Sequence, residues 1–137
     1  MRIFNRAVVL AMIIFTSTIF SASFSVATTL TTKAKYDLGT YLVDDKGMAL
    51  YLFKKDAPGK SMCGAGNGCI EKWLPFFADT VEPKAGINSA AIGTIIRDDG
   101  RKQTTYKGQP LYYFNKDKDE DDVYGHGMGN AWYVVAP

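Results

Sequence analysis

A small, mainly β domain of two related β-hairpin units, with room for short helical segments in its loops, is the fold class this sequence predicts. Three observations carry that prediction. The chain holds 8 Tyr, 8 Phe and 13 Gly, and beyond its first 27 residues it has few long apolar runs, a balance that favours strands and tight turns over a helical bundle. The stretch "GMALYLFKKD" at 47–56 returns as "GQPLYYFNKD" at 108–117, keeping Gly, Leu, Tyr, Phe, Lys and Asp at a constant separation of 61 residues. Within each copy the aromatics alternate, so that Tyr51 and Phe53, like Tyr112 and Phe114, share one face of a strand while Leu50 and Leu111 take the other.

The first 27 residues read as a leader. Arg2 and Arg6 form a short basic region, residues 7–20 are apolar, and small residues follow. This is the layout of a secretory signal peptide, and its apolar core is short for a spanning helix. Ser25 and Ala27 suit the −3 and −1 positions of a cleavage site, which would start the mature chain at Thr28; cleavage after Ala22 is the other option. The 16 basic and 14 acidic residues of the whole chain become 14 of each once Arg2 and Arg6 leave, since no acid leaves with them. A neutral mature chain gives no electrostatic case for nucleic-acid binding. The first cysteine is Cys63, so an N-terminal lipid-modified cysteine is not expected. The remaining residues, about 110, suffice for one domain with one core, set at 37–137.

Residues 28–36 read as a polar lead-in whose threonines would also suit an edge strand. Residues 40–56 form the first unit: a strand through Tyr41 and Val43, a turn over Asp44–Gly47, and a return strand ending at Phe53. Residues 57–69 are a turn-rich connection. Aromatic density returns over 70–78, where Pro75 interrupts a regular ladder, and 79–90 are polar. A strand and turn are expected over 91–100, a hairpin turning at Lys107–Gly108 over 102–114, and a closing strand over 131–137. Gly47 and Gly108 permit the turn before each aromatic strand. Asp56 and Asp117 follow the strands, where a carboxylate can accept loop N–H groups. Trp73 and Trp132 sit at nearly matched distances after the two copies and are candidate core anchors.

These residues resemble a family of bacterial secreted-repeat proteins, described as predicted lipoproteins, that carry a Tyr-x-aromatic-x-x-Asp motif. The motif residues here are Tyr51, Phe53 and Asp56, then Tyr112, Phe114 and Asp117. The likeness continues through Pro58–Ser61, Cys63, Cys69 and Trp73, and resumes from Thr105–Tyr112 to Gly125, Gly127 and Trp132. It implies an exported protein of the bacterial envelope, periplasmic or extracellular. Many relatives have a lipid-modified cysteine that this chain lacks, and the resemblance brings no activity and no catalytic residues.

Cys63 and Cys69 would meet an oxidising compartment after export, which favours a local disulfide. Closure of so short a loop contributes about 2–3 kcal/mol in the loop-entropy picture. A C-x5-C spacing does not suit a thioredoxin-like site, and two thiolates fall short of a zinc set. His126 and Met128 have the chemistry of copper ligands, against an ordinary loop histidine, exposed or bonded to a backbone carbonyl. Asp117, Asp119 and Asp121 match the alternating start of a calcium loop, but its sixth position is Asp122 and its twelfth Met128, where Gly and a bidentate acid are needed. No cofactor is expected; copper and calcium are the alternatives these residues leave open.

No nucleophile elbow, phosphate loop, dinucleotide fingerprint or haem attachment motif is present. The expected function is an exported envelope module that binds a small ligand or an envelope protein, with Tyr41, Tyr106, Tyr113 and Tyr124 as candidate contact aromatics. A structural protein of the envelope is the alternative, ahead of a metal-binding or catalytic one.

Overall fold

The structure, a computed structural model, describes residues 27–137; the expected leader lies, apart from Ala27, outside the described residues. It is mainly β, with three small sheets. In the first sheet β1 (Ala27–Lys35) lies between β2 (Gly39–Val43) and β5 (Thr80–Pro83). β1 runs antiparallel to β2, with Thr31 opposite Val43, and parallel to β5, with Ala27 opposite Thr80. The stretch read as a polar lead-in is therefore the middle strand of a sheet. Its β-branched threonines suit a half-covered pleat, and Leu30 is its fully buried residue. β5 likewise lies in the stretch expected to be a polar connection.

The second sheet contains both aromatic strands, in the order β10 (Trp132–Val134), β3 (Tyr51–Phe53), β9 (Tyr112–Phe114), β4 (Trp73–Pro75). Tyr51 faces Tyr112 at its centre. The flanking pairs are crossed. β4 follows the first motif copy but pairs with the second copy, Trp73 opposite Phe114. β10 follows the second copy but pairs with the first, Trp132 opposite Phe53. The same exchange continues past the strands. Lys54 N–H donates to Ala131 O at 2.8 Å and Asn115 N–H to Lys72 O at 2.8 Å; Val135 N–H donates to Leu50 O at 3.0 Å and Phe76 N–H to Leu111 O at 2.9 Å. The two units are thus interlocked rather than packed side by side as separate hairpins. Pro75 does not break the ladder. It closes β4, which lies on the sheet edge, where a missing N–H leaves no partner unpaired.

The third sheet joins β6 (Ile92–Ile96), β7 (Lys102–Tyr106) and β8 (Gln109–Pro110), all antiparallel. Lys107 and Gly108 turn the chain with φ of 50° and 77°, the two positive dihedrals of a tight hairpin turn. Among the described residues helix is confined to loops: α1 (Cys69–Lys72) and single 3₁₀ turns at Ala65–Asn67, Ser89–Ala91 and Met128–Asn130. A disulfide joins Cys63 to Cys69, Cα atoms 5.2 Å apart. It ties the first loop to the start of α1, which leads without a break into Trp73.

Both faces of the aromatic sheet are covered, as the Leu/Tyr alternation requires. On one face Tyr51, Tyr112, Phe114 and the two tryptophans pack with Tyr41, Val43 and Cys63. On the other, Leu50 and Leu111 pack with Leu30, Leu42, Phe76 and Val135. The centre of the first cluster is a column of four rings. The indoles of Trp73 and Trp132 stack at 3.8 Å with planes 1° apart; Phe53 stacks on Trp132 at 4.1 Å and Phe114 lies on Trp73 at 4.4 Å. Gly125 sits against this column, and a Cβ there would lie 2.6 Å from the Trp73 ring.

Trp73→Ala and Trp132→Ala should each destabilise the fold by about 3–5 kcal/mol in urea unfolding, the range for a buried aromatic removed to Ala. Because each indole is the other's neighbour, the double variant should lose less than the sum of the two.

Candidate functional site

The turn after each aromatic strand fixes the motif aspartate. Asp56 N–H bonds back to Phe53 O at 3.0 Å and Asp117 N–H to Phe114 O at 3.1 Å. Each carboxylate then accepts a loop amide, Asp56 from Met62 N–H at 2.6 Å and Asp117 from Tyr124 N–H at 3.0 Å, as expected of loop carboxylates. The second oxygen does what the sequence did not announce. Tyr51 O–H donates to Asp117 at 2.5 Å, and Tyr112 O–H donates to Asp56 at 2.8 Å. Within one motif copy, Tyr and Asp do not meet; each tyrosine bonds the aspartate of the other copy.

Burial pushes Asp56 and Asp117 above the ordinary carboxylate range, against the opposing pull of their hydrogen bonds. It also pushes the Tyr51 and Tyr112 hydroxyls up, further raised by the adjacent carboxylates. Both tyrosines therefore stay protonated donors.

The two crossed pairs differ in their surroundings. Tyr51 oxygen accepts Gly125 N–H at 3.3 Å. Tyr112 oxygen lies 2.6 Å from Ser61 Oγ; since the Tyr112 proton goes to Asp56, Ser61 donates to it. Ser61 Oγ in turn accepts from Arg97 Nη1 at 2.8 Å. Arg97 is only 6% exposed. Its other bonds go to Gln103 Oε1 at 2.7 Å, Cys63 O at 2.6 Å and Asp99 at 3.2 Å. A buried guanidinium and a buried carboxylate are thus joined through two hydroxyls, Arg97 to Ser61 to Tyr112 to Asp56, which satisfies the polar groups that burial would otherwise strand. Asp99 is held below the usual carboxylate range, first by the Arg101 side chain.

Above this chain lies a cleft of about 420 Å³ lined by Lys60–Gly66 and Arg97–Asp99. Lys60 Nζ and Asp98 Oδ2 face each other at 3.9 Å, both well exposed. On the other repeat the corresponding hairpin reaches the corresponding loop through exposed charges: Lys33 Nζ pairs with Glu120 at 3.1 Å and Asp121 at 2.9 Å, and Lys35 Nζ donates to Asp121 O at 3.2 Å.

Several of the ligand candidates read from the sequence carry hydrogen bonds within the fold. Asp117 is committed to Tyr51 and Tyr124, Asp121 to Lys33, and Asp122 accepts the amides of Lys118 and Asp119 at 2.8 and 3.0 Å. His126 Nδ1 accepts Val134 N–H at 3.2 Å; its backbone partner is an amide, not the carbonyl that was one option. Met128 is partly exposed. Among the described residues no group of three or more His, Cys, Asp or Glu is placed to hold a metal ion. Of the four tyrosines read as contact aromatics, Tyr41 and Tyr106 are buried, Tyr113 donates to Asp44 at 2.7 Å, and Tyr124, 68% exposed, faces solvent. Ser61 enters the sequence reading only within the family likeness, and nothing in the residue order marks Arg97 as its partner or Gln103 as that of Arg97. The one signal in the sequence is an Arg closing the apolar run "AIGTII".

A family model described as a secreted repeat of unknown function matches the chain twice, over residues 32–76 and 93–136. The chain belongs to this family. Each match spans one hairpin, one Tyr-x-Phe strand, its Asp loop and one Trp strand, so the secreted-repeat unit is the half of the interlocked pair seen here. No curated protein and no solved structure matches the chain. No helix among the described residues is long and apolar enough to cross a membrane.

Because Asp117 titrates above its unfolded value, the folded state takes up its proton first, and this group adds stability as pH falls from neutral through the raised value. Wild-type protein should therefore gain melting temperature relative to Asp117→Asn as pH is lowered from 7 toward 4. A difference that stays constant, or shrinks on acidification, would contradict the assignment.

Proposed function

We propose that this secreted repeat protein acts outside the cytoplasm as a binding module, and that the cleft over the disulfide loop takes a small zwitterionic ligand. The observation that carries this reading is the mouth of the cleft. Lys60 and Asp98 stand opposite each other over a floor whose polar groups are already bonded, and at 3.9 Å their own pairing is long and solvent-exposed. Such a surface pair contributes little by itself. A ligand bearing an anion and a cation would replace it with two shorter contacts, anion to Lys60 and cation to Asp98, while the Met62 side chain, half-exposed at the rim, supplies an adaptable apolar wall. Lys60 N–H bonds Ala57 O at 2.9 Å and Met62 N–H bonds Asp56 at 2.6 Å, and the disulfide fixes the wall that follows from Cys63, which limits the ordering cost of binding.

A purely structural role in the envelope is the second reading, favoured by the interlocked core. The two are separated by titrating glycine and then glycylglycine into ¹⁵N-labelled mature protein. Binding should move amide signals of residues 60–66 and 97–100 to saturation, and the double variant Lys60→Met/Asp98→Asn should abolish the shifts while leaving the melting temperature unchanged. Shifts absent from the cleft, or retained in the double variant, would overturn the ligand reading and leave the structural one.

A further inference from the structure

The same rings that fill the core form a continuous line of oxidisable side chains. Tyr51 meets Trp73 edge to face at 5.3 Å; Trp73 stacks on Trp132 at 3.8 Å; Trp132 meets Tyr112 edge to face at 5.1 Å. Each end of the line is a tyrosine whose proton already points at a carboxylate, Asp117 at one end and Asp56 at the other. Packing alone needs the rings but not two carboxylates in an apolar core, where each is an expense in desolvation.

We propose that this line is a one-electron relay, in which an oxidising equivalent taken by the stacked tryptophans is passed on and held as a neutral tyrosyl radical at Tyr51. The oxidant is a transition-metal complex outside the protein, which is reduced by one electron as it oxidises the indole pair and leaves a tryptophan radical cation. Tyr51 then gives an electron to Trp73 and its phenolic proton to Asp117. The products are neutral Trp73, the Tyr51 phenoxyl radical and protonated Asp117, so one electron has left the protein and one proton has moved along an existing 2.5 Å hydrogen bond. Before the step the Tyr51–Asp117 pair carries a buried negative charge; after it the pair is neutral. Low-dielectric surroundings favour that change.

The pseudo-symmetric end is chemically similar but electrostatically different. Arg97 lies behind Tyr112 and Asp56, joined to them through Ser61. The Arg97 charge, whose direct partner is Asp99, favours the ionised form of Asp56, which makes Asp56 the poorer proton acceptor and opposes radical formation at Tyr112. Around Asp117 the charged neighbours are the exposed side chain of Lys35 and the carboxylate of Asp122, so no buried cation resists the proton. The line therefore has a direction, from the Trp132 side toward Tyr51. Tyr113 is a built-in control. It too donates to a buried carboxylate, Asp44 at 2.7 Å, but it lies on the opposite face of the sheet, against Phe76, away from the indoles.

The test is flash-quench oxidation of the mature, disulfide-intact chain, with tris-bipyridyl ruthenium(III) generated in solution, read by transient absorption and by electron paramagnetic resonance. All samples carry Tyr36→Phe and Tyr124→Phe, since both rings are exposed and open to direct oxidation, and the stacked-indole signal in near-ultraviolet circular dichroism confirms that the column is intact. A tryptophan radical should form and give way to a tyrosyl radical. Tyr51→Phe and Asp117→Asn should each remove most of the tyrosyl signal and lengthen the tryptophan radical's life; Tyr112→Phe should remove little, and Tyr113→Phe none. If Asp117→Asn does not fold, the decay of the tryptophan radical should still slow in deuterium oxide, because a proton moves in that step. A full tyrosyl signal in Tyr51→Phe, or a decay indifferent to both Asp117→Asn and deuterium, would overturn the relay.

Discussion

The pairing of Tyr51 with Tyr112 across the centre of one sheet is the constraint on which the remainder of the molecule depends. With those strands adjacent, each repeat's tryptophan strand has its open edge on the other repeat, and each repeat's aspartate loop comes within reach of the other's tyrosine. Neither repeat is complete alone: its hydroxyl, its carboxylate and its indole all find their partners in the other repeat. The stacked indoles, one from each repeat, add about 0.5–1.5 kcal/mol beyond their burial. The arrangement makes the two-copy sequence a requirement of the fold rather than a record of duplication alone.

Symmetry of the backbone throws the asymmetries into relief. Where the second repeat closes its tyrosine–aspartate pair with the amide of Gly125, the first uses Ser61 and, behind it, Arg97. A side chain at Gly125 would collide with Trp73, so close backbone approach is the means available there. The Ser61 side instead opens into a cleft, with the disulfide loop as one wall and the β6–β7 turn as the other. The place where the repeats differ most in chemistry is thus the place where the surface is concave. On the symmetric counterpart, the acidic loop is held by Lys33 and Lys35 and does not stand free for a partner.

The buried carboxylates have a double consequence. As acceptors they fix the loops after the two aromatic strands, a structural service that accounts for the Tyr-x-Phe-x-x-Asp spacing. As a proton acceptor beside Tyr51, Asp117 also serves the proposed relay by taking the phenolic proton when an electron leaves the core. One set of contacts serves both, because a short hydrogen bond in a desolvated site is at once a rigid strut and a path for a proton.

Much was legible from residue order alone. Alternation of Leu with Tyr and Phe determined that the repeated strands are covered on both faces, the positions of Gly47 and Gly108 determined the turns before them, and two cysteines in a chain read as exported pointed to a local disulfide. These are short-range consequences of strand period, backbone dihedrals and loop closure. The exchange of tryptophan strands, the crossed Tyr–Asp bonds, the burial of Tyr41 and Tyr106, and the Arg97–Ser61 chain were decided only in the tertiary structure. Two copies that share the same motif offer each strand two similar partners, its own and its neighbour's, and no local preference separates them. What separates them is burial: the crossed pairing lets Trp73 stack on Trp132 and leaves each aspartate beside a hydroxyl, a choice that exists only once the whole chain has closed on itself.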